Sequence, residues 1–382
     1  MVSDAPKIRR TSGGPAAGTD PGVLIAPRVY NRDGGVQTYL RLAGRALAER
    51  GRLDTVVSLA DVDADGAAAA AEHGFQFEGA GHRFLRFAAA AARATRPDGW
   101  ALVGHARPSP LAFALRRAGR LGAYGVIVHG VEVWEPVPVW QRRALRAADL
   151  VICTTPFTAD RVQEHNGIPD DRIRILPLTV APDRFPTPPP TDRPDDGPLH
   201  LLTVSRLSTG APDKGVDHAV EAVGLLARRG VDVRYSVVGD GDDRPRLEAL
   251  AREAGAEAQV TFRGRLSDEA LAGLYRSADL FLLPSKREGF GLVLLEAMRA
   301  GLPLVATPEG GIRHVLRDGE NGVAVPYGSP GALAEAIVRL VDADARAALA
   351  ATARADFEAR FSYAAFSDRL VDLADDLTRA AR

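Results

Sequence analysis

The sequence predicts an α/β protein made of two Rossmann-like β/α/β domains facing a cleft. Three observations carry this. The 382 residues exceed one ordinary domain and suit two. Short apolar runs alternate with stretches of helical periodicity, as in parallel sheets built from βαβ units. Finally, "FPTPPPTDRPDDGP" (185–198) crowds proline and aspartate into a linker that divides the chain into halves of the same grammar.

Taken in order, residues 1–20 read as a flexible leader. Lys7, Arg9 and Arg10 are followed by "TSGGPAAGTD" in place of an apolar segment, so no secretory signal is expected. The first domain (21–184) opens with "GVLIAPR", fit for a buried strand. An "NRDGG" loop leads into a helix with Val36, Leu40, Ala43 and Leu47 on one face. "TVVSLA", "ALVGHA", "YGVIVHG" and "LVICTT" are further strands. "DVDADGAAAAAE" (61–72) has the spacing of a calcium loop, but a strand precedes it and alanines fill it, so an exposed acidic turn is expected. In the second domain (199–361) "LHLLTVSRL", "VRYSVVGDG", "VTFRGRL", "DLFLLPS", "LPLVAT" and "GVAVPYG" are strands separated by helices or turns. Residues 362–382 form an extra helix, able to pack back on the first domain.

Composition limits the function classes. The hydrophobic fraction of 46% is ample for sizeable cores. Lys plus Arg (48) balances Asp plus Glu (49), so no global field favours nucleic acid or an anionic membrane. A single cysteine, Cys153, excludes a disulfide framework and a cysteine metal cluster. No apolar run reaches the roughly 18 residues of a spanning helix, and a cytoplasmic protein is expected. The first-domain helices show no strong basic amphipathic stripe, which disfavours a membrane-bound substrate, and with no spanning segment any membrane contact is expected to be peripheral. The Ala, Arg and Gly content suggests a bacterial gene.

The chemistry gathers at predicted strand ends, where open α/β sheets bind ligands. In "SKREGFGLVLLEAM" (285–298), Gly289 and Gly291 allow backbone to approach an anion at the N-terminus of the next helix. Glu288 precedes that helix. Glu296 lies two turns inside its apolar body, and a carboxylate there needs a partner. A ribose diol would serve, and so would an arginine such as Arg299. Arg206 and Lys214 flank a strand-to-helix connection and suit a diphosphate. Gly239, in "VVGDG", reads either as a phosphate turn or as a tight turn without ligand. In the first domain Gly34 and Gly35 precede a helix, and His129 and His105 end strands. Glu132, Trp134 and Arg28 are further polar and aromatic candidates close to these strand ends.

The pair Glu288 and Glu296, spaced E-x7-E within "PSKREGFGLVLLEAMRAGLPLVAT", resembles the signature of the retaining family 4 glycosyltransferases of GT-B fold. The likeness continues through "SRL…DKG", "VVGDGDDRPRLEAL", "FRGRLSDEALAGLYRSADLFLLPS" and "EGG…DGENGVAVPYG", over nearly all of 199–330. One departure is the longer "LSTGAPD" between Arg206 and Lys214. The resemblance implies a nucleotide-sugar donor and a sugar, glycolipid or small-molecule acceptor, with no cofactor, no metal and no nucleic acid. It implies that His129, Glu288, Arg206 and Lys214 are catalytic. Gly35, Gly239, Arg265, Leu266, Phe290, Gly291, Leu292 and Glu296 join the last three in binding donor, while Arg28, His105, Glu132 and Trp134 stand on the acceptor side. It further implies front-face substitution with retention. The alternatives are an epimerase or hydrolase of nucleotide sugars, or a non-catalytic nucleotide-sugar-binding protein.

Overall fold

The computed structural model describes residues 20–32, 34–184, 197–210 and 212–382. The leader up to residue 19, linker residues 185–196 and Ala211 of the long connection lie outside the described residues. The first half contains β1 (Gly22–Ala26), α1 (Gly35–Glu49), β2 (Leu53–Ser58), α2 (Asp63–His73), β3 (Gln76–Gly79), α3 (Phe84–Ala94) and β4 (Trp100–Val103). It continues with α4 (Ser109–Arg117), β5 (Ala123–Val128), α5 (Val139–Ala147), β6 (Leu150–Cys153), α6 (Pro156–Asn166) and β7 (Ile173–Ile175). The second half contains β8 (Leu199–Val204), α7 (Val216–Arg228), β9 (Val233–Val238), α8 (Arg244–Glu253), β10 (Val260–Gly264), α9 (Asp268–Ser277) and β11 (Leu280–Leu283). After these come α10 (Leu292–Arg299), β12 (Leu304–Ala306), β13 (Gly322–Ala324), α11 (Pro330–Arg339), α12 (Ala343–Arg360) and α13 (Tyr363–Ala381).

Every strand pairing is parallel, in a seven-stranded sheet β3-β2-β1-β4-β5-β6-β7 and a six-stranded sheet β10-β9-β8-β11-β12-β13. Parallel strands covered on both faces read as unbroken apolar runs, which is why GVLIA and LFLL are buried throughout. Within β1 the two-residue period sorts the faces. Val23 and Ile25 pack toward α3, α4 and α5, whereas Leu24 pairs with the layer of α1 and α13. The sheets therefore form two Rossmann-like units of GT-B type.

One hydrophobic cluster joins the halves. It runs from Leu24 and Tyr39 through Leu370 and Leu377 of α13 to Leu294 and Met298 of α10. Helix α13 follows the second sheet in sequence but packs on α1, β4 and β5 of the first. Arg52 holds Asp375 and Thr378 of this helix, and Tyr39 meets Phe366 edge-on.

Two strands escaped the sequence reading. The strands β3 and β7 are short, partly exposed edge strands, and QFEG and IRI carry no apolar run to announce them. The segment 61–72 is also not an exposed acidic turn. Residues from Asp63 onward form α2, and Asp61 is fully buried. The Asp61 carboxylate accepts the N–H groups of Val29 (2.6 Å), Tyr30 (3.1 Å) and Asn31 (2.7 Å), and the Ser58 hydroxyl. Asp63 is taken by Gly79 N–H and Arg86, and Asp65 by Val62 N–H. These aspartates brace the β1–α1 loop and its neighbours, so their oxygens face protein donors.

Candidate active site

In the second domain the motif folds as strand, loop and helix. β11 ends at Leu283, Ser285 opens the loop that carries Glu288, and α10 starts at Leu292 after Gly291 in a left-handed conformation (φ 89°). Gly301 (φ 75°) ends the helix, its N–H bonded to Met298 O. Helix α10 thus points its N-terminus at the carboxyl edge of the sheet. Gly291 and Leu292 lie at that end, while the ring of Phe290 is buried against Phe361 and offers only its backbone to the loop.

Lys214 reaches this loop from the β8–α7 connection. Its Nζ lies 2.5 Å from Glu288 Oε1, which also accepts the Ser285 hydroxyl at 3.2 Å. The connection is tied down by Asp213 O, which accepts Lys286 N–H at 2.8 Å and the Ser285 hydroxyl. Its other end is clipped by Asp242, whose carboxylate takes both the N–H and the hydroxyl of Thr209. Arg206, exposed after β8, shares with Lys214 the wall of a small cavity that also touches Asp217, Asp243 and Arg246. The two predicted cations are brought together despite the extended loop between them.

Glu296 is buried (4% exposed), and its partners are protein groups. Tyr275 of α9 donates its hydroxyl at 2.8 Å, and Arg184 stands 3.4 Å away while also pairing with Asp268 at 2.9 Å. Arg299 is not the partner: it donates to Ala181 O and Pro182 O. Burial pushes the Glu296 carboxyl above its usual range, against the opposing pull of Arg184 and Tyr275. Arg184 belongs to the end of the first half, next to the linker, and no motif marks it in the sequence. Tyr275 sits on a different helix, so spacing within the motif cannot reveal it.

Gly239 behaves as a packing glycine. Its N–H is taken by Gly264 O (2.8 Å), and a Cβ would fall 1.8 Å from Ser205 O. Arg265 is exposed beyond β10, and Leu266 packs on the core.

On the first domain, Gly35 is the opening residue of α1 and Arg28 is half-buried beyond β1. The His129 ring turns inward: Nε2 lies 2.9 Å from Gly104 O and the ring meets Tyr39 edge-on. With Nε2 donating to that carbonyl, Nδ1 is left unprotonated. Burial lowers the pKa of His129 and takes His105, 5.9 Å away ring to ring, down to about 4. Both rings are neutral at physiological pH. Glu132 folds back on its own loop, accepting His129 N–H at 2.6 Å. Trp134 donates toward Thr158 at 3.3 Å and lies edge-on to Phe157, a residue also covered by Arg313 from the second domain. Glu132 and Trp134 are thus engaged in holding the loop and the domain contact.

The domains meet backbone to backbone beside these groups. A Cβ on Gly289 would stand 2.6 Å from His129 O, and one on Gly130 would be 3.0 Å from Gly289 Cα. His314 adds a second bridge, accepting Phe157 N–H at 3.0 Å. The loops carrying Glu288 and His129 therefore abut. Sequence spacing cannot show such a contact across 160 residues.

Comparison with known proteins agrees with this fold. The family described as Glycosyl transferases group 1 matches residues 190–356, and Glycosyltransferase Family 4 matches 33–184. The chain is 30% identical over 389 residues to a GDP-mannose-dependent alpha-(1-6)-phosphatidylinositol monomannoside mannosyltransferase of Mycobacterium tuberculosis, covering 94% of this chain and 99% of that one. It is 32% identical over 252 residues to an alpha-D-kanosaminyltransferase of Streptomyces kanamyceticus, covering 63% of this chain but 64% of the relative. The fold is similar to Anabaena HepE solved with UDP (TM-score 0.77, 20% identity, 93% and 100% of the two chains covered). With a relative matched almost end to end, both halves assigned, and the GT-B architecture in place, the chain belongs to the family 4, group 1 glycosyltransferases.

Proposed function

We propose that this glycosyltransferase moves a sugar from a nucleoside-diphosphate sugar to a hydroxyl acceptor, with retention at the anomeric carbon and without a metal. The observation that carries the reading is the meeting of Lys214, Glu288 and Arg206 with the N-terminus of α10, against the first-domain loop of His129. Two cations and the N–H groups at a helix N-terminus supply the positive charge that a departing diphosphate requires. Lys214 would exchange Glu288 for phosphate oxygen, which frees the carboxylate for sugar hydroxyls. A ribose diol on Glu296 would compete with Arg184 for carboxylate lone pairs. The contact between the domains would keep water from the activated donor. A relative described as GDP-mannose-dependent and a neighbour solved with UDP support a nucleoside-diphosphate donor. Among the described residues no side chain marks itself as a covalent nucleophile, in keeping with substitution on one face assisted by the leaving phosphate.

The test is a screen of UDP-, GDP- and ADP-sugars by thermal stabilisation, followed by product analysis with acceptor hydroxyls and chelator present. A stabilising donor, transferred with its anomeric configuration kept, is the expected result. Donor consumed at the same rate without acceptor would instead show a hydrolase or epimerase, and stabilisation without turnover a binding protein. Lys214→Ala should lower kcat/KM by about 100-fold, with kcat and donor affinity falling together.

A further inference from the structure

We propose that Arg184 is a positioning residue for the nucleotide: from the end of the first half it holds the Glu296 carboxylate in the charged form that a ribose diol needs. The inference deepens the donor reading above and rests on it. An ionised carboxylate only accepts hydrogen bonds, whereas a neutral one gives up one oxygen to an O–H donor. Two neighbouring hydroxyls that donate together therefore require the ion. Tyr275 donates to Glu296 Oε2 at 2.8 Å from a buried ring, so the proton of a neutral Glu296 falls on Oε1. Arg184 Nη1 stands 3.4 Å from that oxygen, where a guanidinium donor and a carboxyl proton oppose each other. At this length the contact is weak as a hydrogen bond and still close as a charge. A ribose hydroxyl can thus take Oε1 while Arg184 keeps its 2.9 Å hold on Asp268.

The surroundings of Glu296 leave this task to Arg184. Burial pushes the carboxyl upward. Arg184 exerts the largest opposing pull, Tyr275 the next, and Asp268 of α9 adds a further upward push. Arg299, on the same helix, turns away to Ala181 O (2.6 Å) and Pro182 O (2.7 Å), with Glu358 of α12 acting on it. The backbone that carries Arg184 is fixed by its own contacts. Besides the grip of Arg299, Arg45 of α1 pairs with Asp183 at 3.2 Å, and the Thr179 hydroxyl donates to Phe361 O at 2.7 Å. Residues 179–184 are thus tied to both halves, and the guanidinium arrives with little freedom left to lose. Its half-buried side chain marks the open side of the carboxylate, while buried Tyr275 closes the other.

Two measurements on the full chain test this. The first is carbon-13 resonance of carboxyl-labelled glutamate without ligand, the Glu296 signal being assigned by its loss in Glu296→Gln. The parent should show an ionised Glu296 at neutral pH. Arg184→Met, which keeps the stem and drops the charge, should show it protonated there and ionising only at alkaline pH. Arg184→Lys should restore the ion. If Arg184→Met fails to fold, Arg184→Gln removes the charge while keeping an N–H donor. The second is calorimetry with UDP, GDP and ADP, then with the 2′,3′-dideoxy form of the tightest binder. The parent should prefer the diol form by about 10- to 100-fold, as hydrogen bonds to a charged group give. Arg184→Met should lose that preference at neutral pH, regain it at alkaline pH, and bind the dideoxy form as the parent does. The proposal is overturned if Glu296 stays ionised in Arg184→Met at neutral pH, or if both nucleotide forms weaken equally, as a merely structural loss would give. A diol preference kept by Arg184→Met sinks the role of Arg184 alone. A parent without that preference sinks the ribose reading on which it rests.

Discussion

Glu296 poses the central question at the scale of the residue. Buried in an apolar helix, its carboxylate is satisfied by Tyr275 and Arg184. Because burial raises its folded pKa above the ordinary 4.5, the native state binds this proton more tightly than the unfolded chain. Its contribution to stability is therefore fullest below 4.5 and is lost as pH rises through the folded pKa. Glu296→Gln in the ligand-free protein should remove this portion of the slope in urea melts across the acid range. The same substitution should raise donor KM sharply if a ribose uses the carboxylate, and unchanged donor affinity by calorimetry would remove that role. Arg206, Lys214 and Glu288 were legible from residue type and motif spacing. Arg184 and Tyr275 were not, because they reach Glu296 from segments 112 and 21 residues away.

Elements read well where they are long and apolar. All six strands of the second sheet match the runs seen in the sequence: β11 and β12 are buried on both faces and continuously hydrophobic, while the edge strands β10 and β13 are partly exposed. The edge strands β3 and β7 and the helix α2 were missed, because exposure relaxes that demand and alanine announces no face. Helix α13 shows what an element contributes beyond its own span. Leu370 and Leu377 are 1% exposed, packed in the core that joins both halves. Leu377→Ala should cost about 2–5 kcal/mol through the cavity it leaves, measured as a lower urea midpoint with an unchanged m-value.

For the whole molecule, the histidines tie pH to stability. Burial depresses His105 from 6.5 to about 4 and lowers His129, while His314 is also lowered and accepts Phe157 N–H across the domain contact. A depressed histidine favours the native state while neutral. For His105 that stability is present above 6.5 and is lost as pH falls toward 4, by up to about 1.4 kcal/mol per pH unit. Melting temperature should therefore fall over this range, and His105→Gln should flatten the fall. If the slope stays as in the parent, His105 is not its source.

By itself the sequence determined the α/β class, the two Rossmann-like units and the strand-loop-helix motif of Glu288 and Glu296, because these depend on local periodicity and on residues close together in the chain. Tertiary structure decided which groups meet: Arg184 with Glu296, Gly289 with His129, and α13 with the first sheet. Those contacts join residues remote in sequence, and only the packing of the core sets their distances.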